Sequence, residues 1–246
     1  GNAALLSILE SDDVFFLEPT FERGSALTST ADTLFLTGQG QIFGDDIVLV
    51  DSDSGRTLSG FASGVLGGLA DLEFVGDQLY GIARGATGLF RISPAAGSVT
   101  EIGNPGVLAL SPALFTIRDT LYLVDDLRVV YEVNQNTGFA TSLGVWLPAL
   151  VVTEAGDSRI FVLEETLRDI ELHTIDLTAR VIVSTQTIPF QTTGSIIDMA
   201  LTKNGLIAVT LSGTLIRIDT EAGTATPFAA VTSDVLSYEG MAAGER

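Results

Sequence analysis

The chain has 246 residues, 46% hydrophobic and 17% charged, which is enough apolar material for a large core and too much for a disordered segment. Its 31 acidic side chains against 12 basic ones leave a formal charge of -19, a balance that repels phosphate backbones and counts against nucleic acid as a partner. There is no cysteine, which excludes disulfides, thiolate metal sites and a cysteine nucleophile.

At the N-terminus, Ala3 to Leu9 is apolar but too short to span a bilayer, and it lacks the basic flank of a signal peptide, so it reads as the start of a processed chain. No stretch is long enough for a membrane span. Lys203 is the only lysine, so there is no polybasic patch for an anionic membrane surface.

From residue 47 onward one pattern recurs: an apolar strand, a polar turn that usually contains Gly, then a Thr/Val-rich strand. It reads Ile47 to Gly55, Leu89 to Gly97, Val130 to Gly138, Leu172 to Asp176 and Leu215 to Gly223. The turns begin at 51, 93, 134, 176 and 219, in steps of 42, 41, 42 and 43 residues. The residue before each turn is Val50, Ile92, Val133, Ile175 or Ile218, whereas the column before that holds Leu49, Arg91, Glu132, Thr174 and Arg217. Alternation with a period of two belongs to strands and not to helices.

Upstream of each copy a second polar marker opens an apolar strand: Asp32-Thr33, Asp77-Gln78, Asp119-Thr120, Asp157-Ser158 and Asn204-Gly205. These read as hairpin turns, which gives four strands per repeat. Four-stranded units repeating at this spacing are the signature of a β-propeller, an all-β fold. The full repeats divide the chain at approximately 25–67, 68–110, 111–148, 149–193 and 194–234. Residues 1–24 and 235–246 together approach one more repeat. The tail Leu236 to Ala242 also resembles the inner strands Leu69 to Phe74 and Ile196 to Leu201. The expectation is therefore a single domain of six blades whose last blade is closed by both termini. Five blades with a terminal cap is the competing count.

In these turn and strand positions the chain resembles bacterial propeller repeats of the form "LY…LYRIDPxTG" and is similar in rhythm to YVTN and NHL repeats. The matching residues are turn and core positions, so the resemblance implies a fold and no chemistry. Gly-His and Trp-Asp pairs are absent, which sets the chain apart from WD40 arrays.

No complete catalytic set is legible. His173 is the only histidine and falls in a column with Val48, Phe90, Tyr131 and Ile216, so it reads as a packing residue. No Gly-x-Ser-x-Gly elbow is present. Asp45-Asp46 and Asp51-Ser52-Asp53-Ser54-Gly55 are spaced like the carboxylates of a calcium loop, but the latter run occupies a turn shared by the other repeats. Gly38 to Gly44 lacks the Lys and the helix of a phosphate loop.

Inner strands line a propeller's channel. There Asp71, Asp198 and Glu239 form the candidate ligand set, with the two Asp on opposite sides of a six-bladed ring. Ca²⁺ is the only cofactor this trio suggests. Trp146, Gln41 and Phe43 are the candidate interaction surface. The reading is a non-catalytic acidic propeller that acts as a scaffold for another protein or a surface component, or as an accessory subunit of a larger assembly, in the periplasm or outside the cell. The alternative is a Ca²⁺-dependent hydrolase or lactonase acting in the channel.

Overall fold

The structure, a computed structural model, describes residues 33–40, 44–156, 158–190, 195–202, 205–231 and 235–244. These residues form five antiparallel sheets of four strands. Blade I contains β1 (Thr33–Gly40), β2 (Gly44–Asp51) and β3 (Thr57–Ala62). Blade II is β4 (Leu69–Val75), β5 (Gln78–Ala83), β6 (Leu89–Ser93) and β7 (Ser98–Gly103). Blade III is β8 (Ala113–Ile117), β9 (Thr120–Val124), β10 (Val129–Val133) and β11 (Ala140–Trp146). Blade IV is β12 (Val151–Gly156), β13 (Arg159–Glu165), β14 (Asp169–Asp176) and β15 (Val181–Pro189). Blade V is β16 (Ile196–Thr202), β17 (Gly205–Thr210), β18 (Thr214–Asp219) and β19 (Thr224–Ala230).

The remaining strand, β20 (Val235–Gly244), decides the blade count. It pairs antiparallel with β1, Leu36 opposite Met241 and Thr33 opposite Gly244, so it is the innermost strand of blade I. The propeller has five blades among the described residues, and the expected six-bladed ring is corrected to the competing count. The tail does resemble β4 and β16, as the sequence shows, because it does the same job. It completes the first sheet and neither forms a further blade nor caps the ring. The N-terminal segment assigned to a closing blade lies outside the described residues.

The inner strands touch in the order β20, β4, β8, β12, β16 and back to β20, which closes the ring. The core lies between blades, so both faces of each sheet are apolar. Phe35, Ile47 and Leu49 of blade I pack on Leu69, Leu72 and Leu79 of blade II. Ile82 and Leu89 meet Leu121 and Leu123 of blade III, and Phe115 and Val130 meet Ile160 and Val162 of blade IV. Leu163 and Leu172 join Ile207 and Ile216 of blade V and Leu34 and Val48 of blade I in the last cluster. The residue before each turn (Val50, Ile92, Val133, Ile175, Ile218) is buried, whereas Arg91 and Glu132 of the intervening column are exposed.

The turns between third and fourth strands follow local chemistry. Asp51 Oδ1 accepts from the Ser54 N–H at 2.8 Å, Asn134 Oδ1 from the N–H groups of Asn136 and Thr137, Asp176 Oδ1 from Ala179 and Asp219 Oδ1 from Ala222. Each such turn then needs a residue in the left-handed region: Gly55, Gly97, Gly138 and Gly223 at φ between 58° and 75°, and Arg180 at φ 57° in blade IV. The glycines have a second reason to be small. A Cβ on Gly138 would come within 2.7 Å of the Gly103 carbonyl in the neighbouring blade, and one on Gly55 within 2.5 Å of Ala229.

Gly138→Ala is therefore expected to destabilise by about 2 kcal/mol or more, because strain and a backbone clash act together. Arg180→Gly relieves strain with no such clash and should gain roughly 0.5 kcal/mol. Urea denaturation midpoints of the two variants, moving in opposite directions, check this. The turn carboxylates also set an acid limit. The hydrogen bond from the Ser54 hydroxyl holds Asp51 below its ordinary 3.8, and the Ala179 N–H holds Asp176 below it too. A lowered folded value means their stabilisation is complete above about pH 4 and is lost as pH falls through the folded values. The double variant Asp51→Asn/Asp176→Asn should lose less stability than the parent between pH 5 and pH 2.5, read from urea midpoints at each pH.

Candidate functional site: the loop mouth of the ring

Each inner strand starts at one mouth of the ring and ends at the other. At the starting mouth lie the loops between second and third strands and the connections from blade to blade; at the opposite mouth lie the tight Asp/Asn/Gly turns. A cavity of about 290 Å³ opens at the loop mouth, lined by Asp71, Ala113, Val151, Asp198 and Leu211 from the inner ends of blades II to V.

Asp71 and Asp198 thus line one cavity from inner strands two positions apart, the widest separation five blades allow, in place of the diametric placement expected of six. With five blades they sit on β4 and β16, the two inner strands that flank β20. Each follows a β-bulge, at Ala70 and Ile197. The β20–β1 register slips between Tyr238 and Gly240, which places the Glu239 backbone at the equivalent bulge. Gly240, the residue after that bulge, therefore holds the position that Asp71 and Asp198 hold in their strands.

Asp71 is 3% exposed, and its carboxylate is engaged by main chain. Oδ1 accepts from the N–H of Leu72 at 2.7 Å and Oδ2 from the N–H of Leu114 at 2.6 Å, across the blade II/III boundary. An inner strand has one edge with no strand beside it to accept its N–H groups, and this carboxylate supplies the missing acceptor. Asp198, 4% exposed, accepts from the Met199 N–H in the same way, at 2.8 Å. In blade IV, Glu165 accepts from the N–H of Ile196 at the start of β16.

The loops at this mouth are tied by further carboxylates. Asp126 accepts from the N–H groups of Leu110 and Ser111, fastening the blade II to blade III connection to the β9–β10 loop. Asp125, 4% exposed, accepts from the Val129 N–H and from the Tyr131 hydroxyl. Burial and then this carboxylate push the Tyr131 phenol above its usual range.

Apolar side chains stand out from this framework. Leu66, Leu108, Leu110, Leu127, Leu167 and Leu211 occupy loops at this mouth and are exposed, Leu66 and Leu167 almost completely. Trp146, 67% exposed, ends β11 opposite Val129, beside the loop of Leu127. Turns at the opposite mouth present Asp, Ser, Asn and Gly together with the exposed Phe139, and the strand ends beside them expose Leu58, Val181, Ile182 and Leu201. Trp146 was the sequence candidate for this surface. The leucines were missed, although a Leu at a turn tip, as in Asp126-Leu127-Arg128 and Thr166-Leu167-Arg168, is a signal available without coordinates.

Gln41 and Phe43 lie outside the described residues, between the ends of β1 and β2. The Asp51 to Gly55 run forms a turn with the Asp51 carboxylate turned onto Ser54, and Asp53 lies 4.0 Å from the Arg217 guanidinium. His173 is buried at 5% exposure on β14, in a packing column as expected.

No family model matches this chain, and no curated protein matches it. Among solved structures it is similar to a chain in the crystal structure of a nidogen/laminin complex, at a TM-score of 0.59 and 10% identity over 87% of this chain and 98% of that one. At that identity the similarity shows the fold, a β-propeller, and carries no residue roles.

Removing the Asp71 carboxylate strands buried N–H groups in adjacent blades. Asp71→Ala should cost roughly 2–3 kcal/mol in chemical denaturation, and millimolar Ca²⁺ should leave the melting temperature of the parent unchanged. A calcium-dependent rise in the parent that Asp71→Ala abolishes would instead assign Asp71 to a cation.

Proposed function

We propose that this propeller is a non-catalytic platform that binds another protein through its loop mouth, in the periplasm or outside the cell. The carrying observation is the placement of the most exposed leucines: Leu66, Leu108, Leu110, Leu127 and Leu167 all stand on loops of one mouth that are tied by main-chain and Asp126 hydrogen bonds, whereas Leu58 and Leu201 lie on strands and are less exposed. Exposed apolar side chains concentrated on one face are the usual mark of a protein-binding surface. Loops anchored beforehand lose little further freedom on binding. The similar chain comes from a nidogen/laminin complex, which is consistent with a propeller in this role.

The compartment is supported by composition: a single lysine and a charge of -19 suit a protein kept soluble by repulsion. The channel hydrolase is the weaker reading, because both oxygens of Asp71 already accept main-chain N–H groups.

Site-specific photo-crosslinking tests the platform. A crosslinker at Leu127 or Leu167 should give a discrete adduct in native extract, one at Asp53 or Glu221 in the opposite turns should not, and Leu108→Ser/Leu127→Ser should reduce the Leu167 adduct about tenfold or more. Equal labelling from both mouths would overturn the reading.

A further inference from the structure

On the face of blade IV turned toward blade III, Glu164 of β13 stands directly opposite Glu171 of β14, and His173 lies two residues further along β14 on the same face. Among the described residues this is the one group of three His, Asp or Glu side chains whose ligand atoms all lie within 4.8 Å of one another.

Three features set it apart from the carboxylates at the loop mouth. First, like charges directly opposite in an antiparallel pair repel, so Glu164 against Glu171 is unfavourable without a compensating cation. Second, the imidazole is fixed: its Nδ1 lies 2.9 Å from the Thr185 hydroxyl on β15, in the way that an outer hydrogen bond orients a ligating histidine. Third, Nε2 is closed off from solvent and has no hydrogen-bond partner. It is aimed at the carboxylates, 3.5 Å from Glu164 Oε2 and 3.8 Å from Glu171 Oε2. Those separations are too long for good hydrogen bonds. They are close to the roughly 3.4 Å between neighbouring ligand atoms around a tetrahedral ion with bonds of about 2.0–2.1 Å.

We infer that Glu164, Glu171 and His173 bind a divalent transition-metal ion, Zn²⁺ by its ligand preference. One imidazole nitrogen and two carboxylates suit zinc with a water in the fourth position, whereas Ca²⁺ takes oxygen ligands only. The glutamates are each about two-fifths exposed, which gives the ion a route in from solvent while the imidazole stays buried. The ligands come from both strands beside the 166–168 loop, so occupancy would stiffen the loop that carries Leu167.

The single histidine makes the test direct, because a tag-free protein has one imidazole to observe. Metal-stripped protein is titrated with ZnCl₂ while the imidazole nitrogen resonances are followed by NMR and the melting temperature is measured in parallel. The Nε2 resonance should shift at stoichiometric zinc, the melting temperature should rise, and CaCl₂ should do neither. Glu164→Gln and Glu171→Gln, both at partly exposed positions that the fold tolerates, should each weaken binding about tenfold or more. An imidazole unmoved at 1 mM zinc overturns the site. So does a zinc-induced rise in melting temperature that both glutamine variants retain in full, since the ion would then lie elsewhere.

Discussion

The ring depends on one pairing, β20 against β1. It joins the last described strand to the first through main-chain hydrogen bonds and gives blade I its innermost strand. Without it β1 would face the channel as an open edge, and the inner strands β16 and β4 would lose the neighbour that each of them packs against. Closing nearly the full length of chain costs conformational entropy once, and that cost grows only logarithmically with length. The return is shared around the ring, because every blade then has a partner on both faces and the apolar clusters run from blade to blade without a gap.

Much of this was legible in the sequence because it is enforced locally. The third-strand columns alternate because blades pack on both faces, and Asp51, Asn134, Asp176 and Asp219 recur because a short side chain with an acceptor oxygen closes the turn on its own backbone. The blade count was not legible, because it is a global property. Residues Leu236 to Ala242 read correctly as an inner strand, yet nothing local says which sheet an inner strand joins. The candidate site fared in the same way. Asp71 and Asp198 stand out in the sequence as inner-strand carboxylates and do line one cavity, but the N–H of Leu114 that engages Asp71 belongs to another blade, 43 residues away. The column of His173 marks it as a packing residue, which it is, but a column cannot show that Glu164 comes across from the neighbouring strand.

The two mouths divide the labour of the fold. At the turn mouth, residue choice is used up by geometry: positive φ values, Asx-type turns and close approach between blades leave little freedom. The loop mouth has longer connections whose backbones are satisfied by Asp125, Asp126 and Glu165, so their remaining side chains are free to vary. Leucines exposed there invite self-association, and a surface of high net charge opposes it. Acidity and the apolar loop tips are in this sense complementary features of one design.

A charge of -19 need not be aimed at a partner at all. Asp71, Asp125, Asp126, Asp198 and the turn aspartates each place a carboxylate where the sheet provides no carbonyl for a main-chain N–H, at strand edges, loop anchors and hairpin corners. A propeller has these positions in every blade, and filling them with Asp in place of Asn or Ser makes the chain acidic as a by-product of satisfying its backbone. Against that background Glu164 and Glu171 differ in kind. They lie inside paired strands, where the ladder already satisfies the backbone, and face each other and an imidazole nitrogen that has no hydrogen-bond partner. The backbone's need for acceptors accounts for the aspartates at the edges; it gives no reason for this pair.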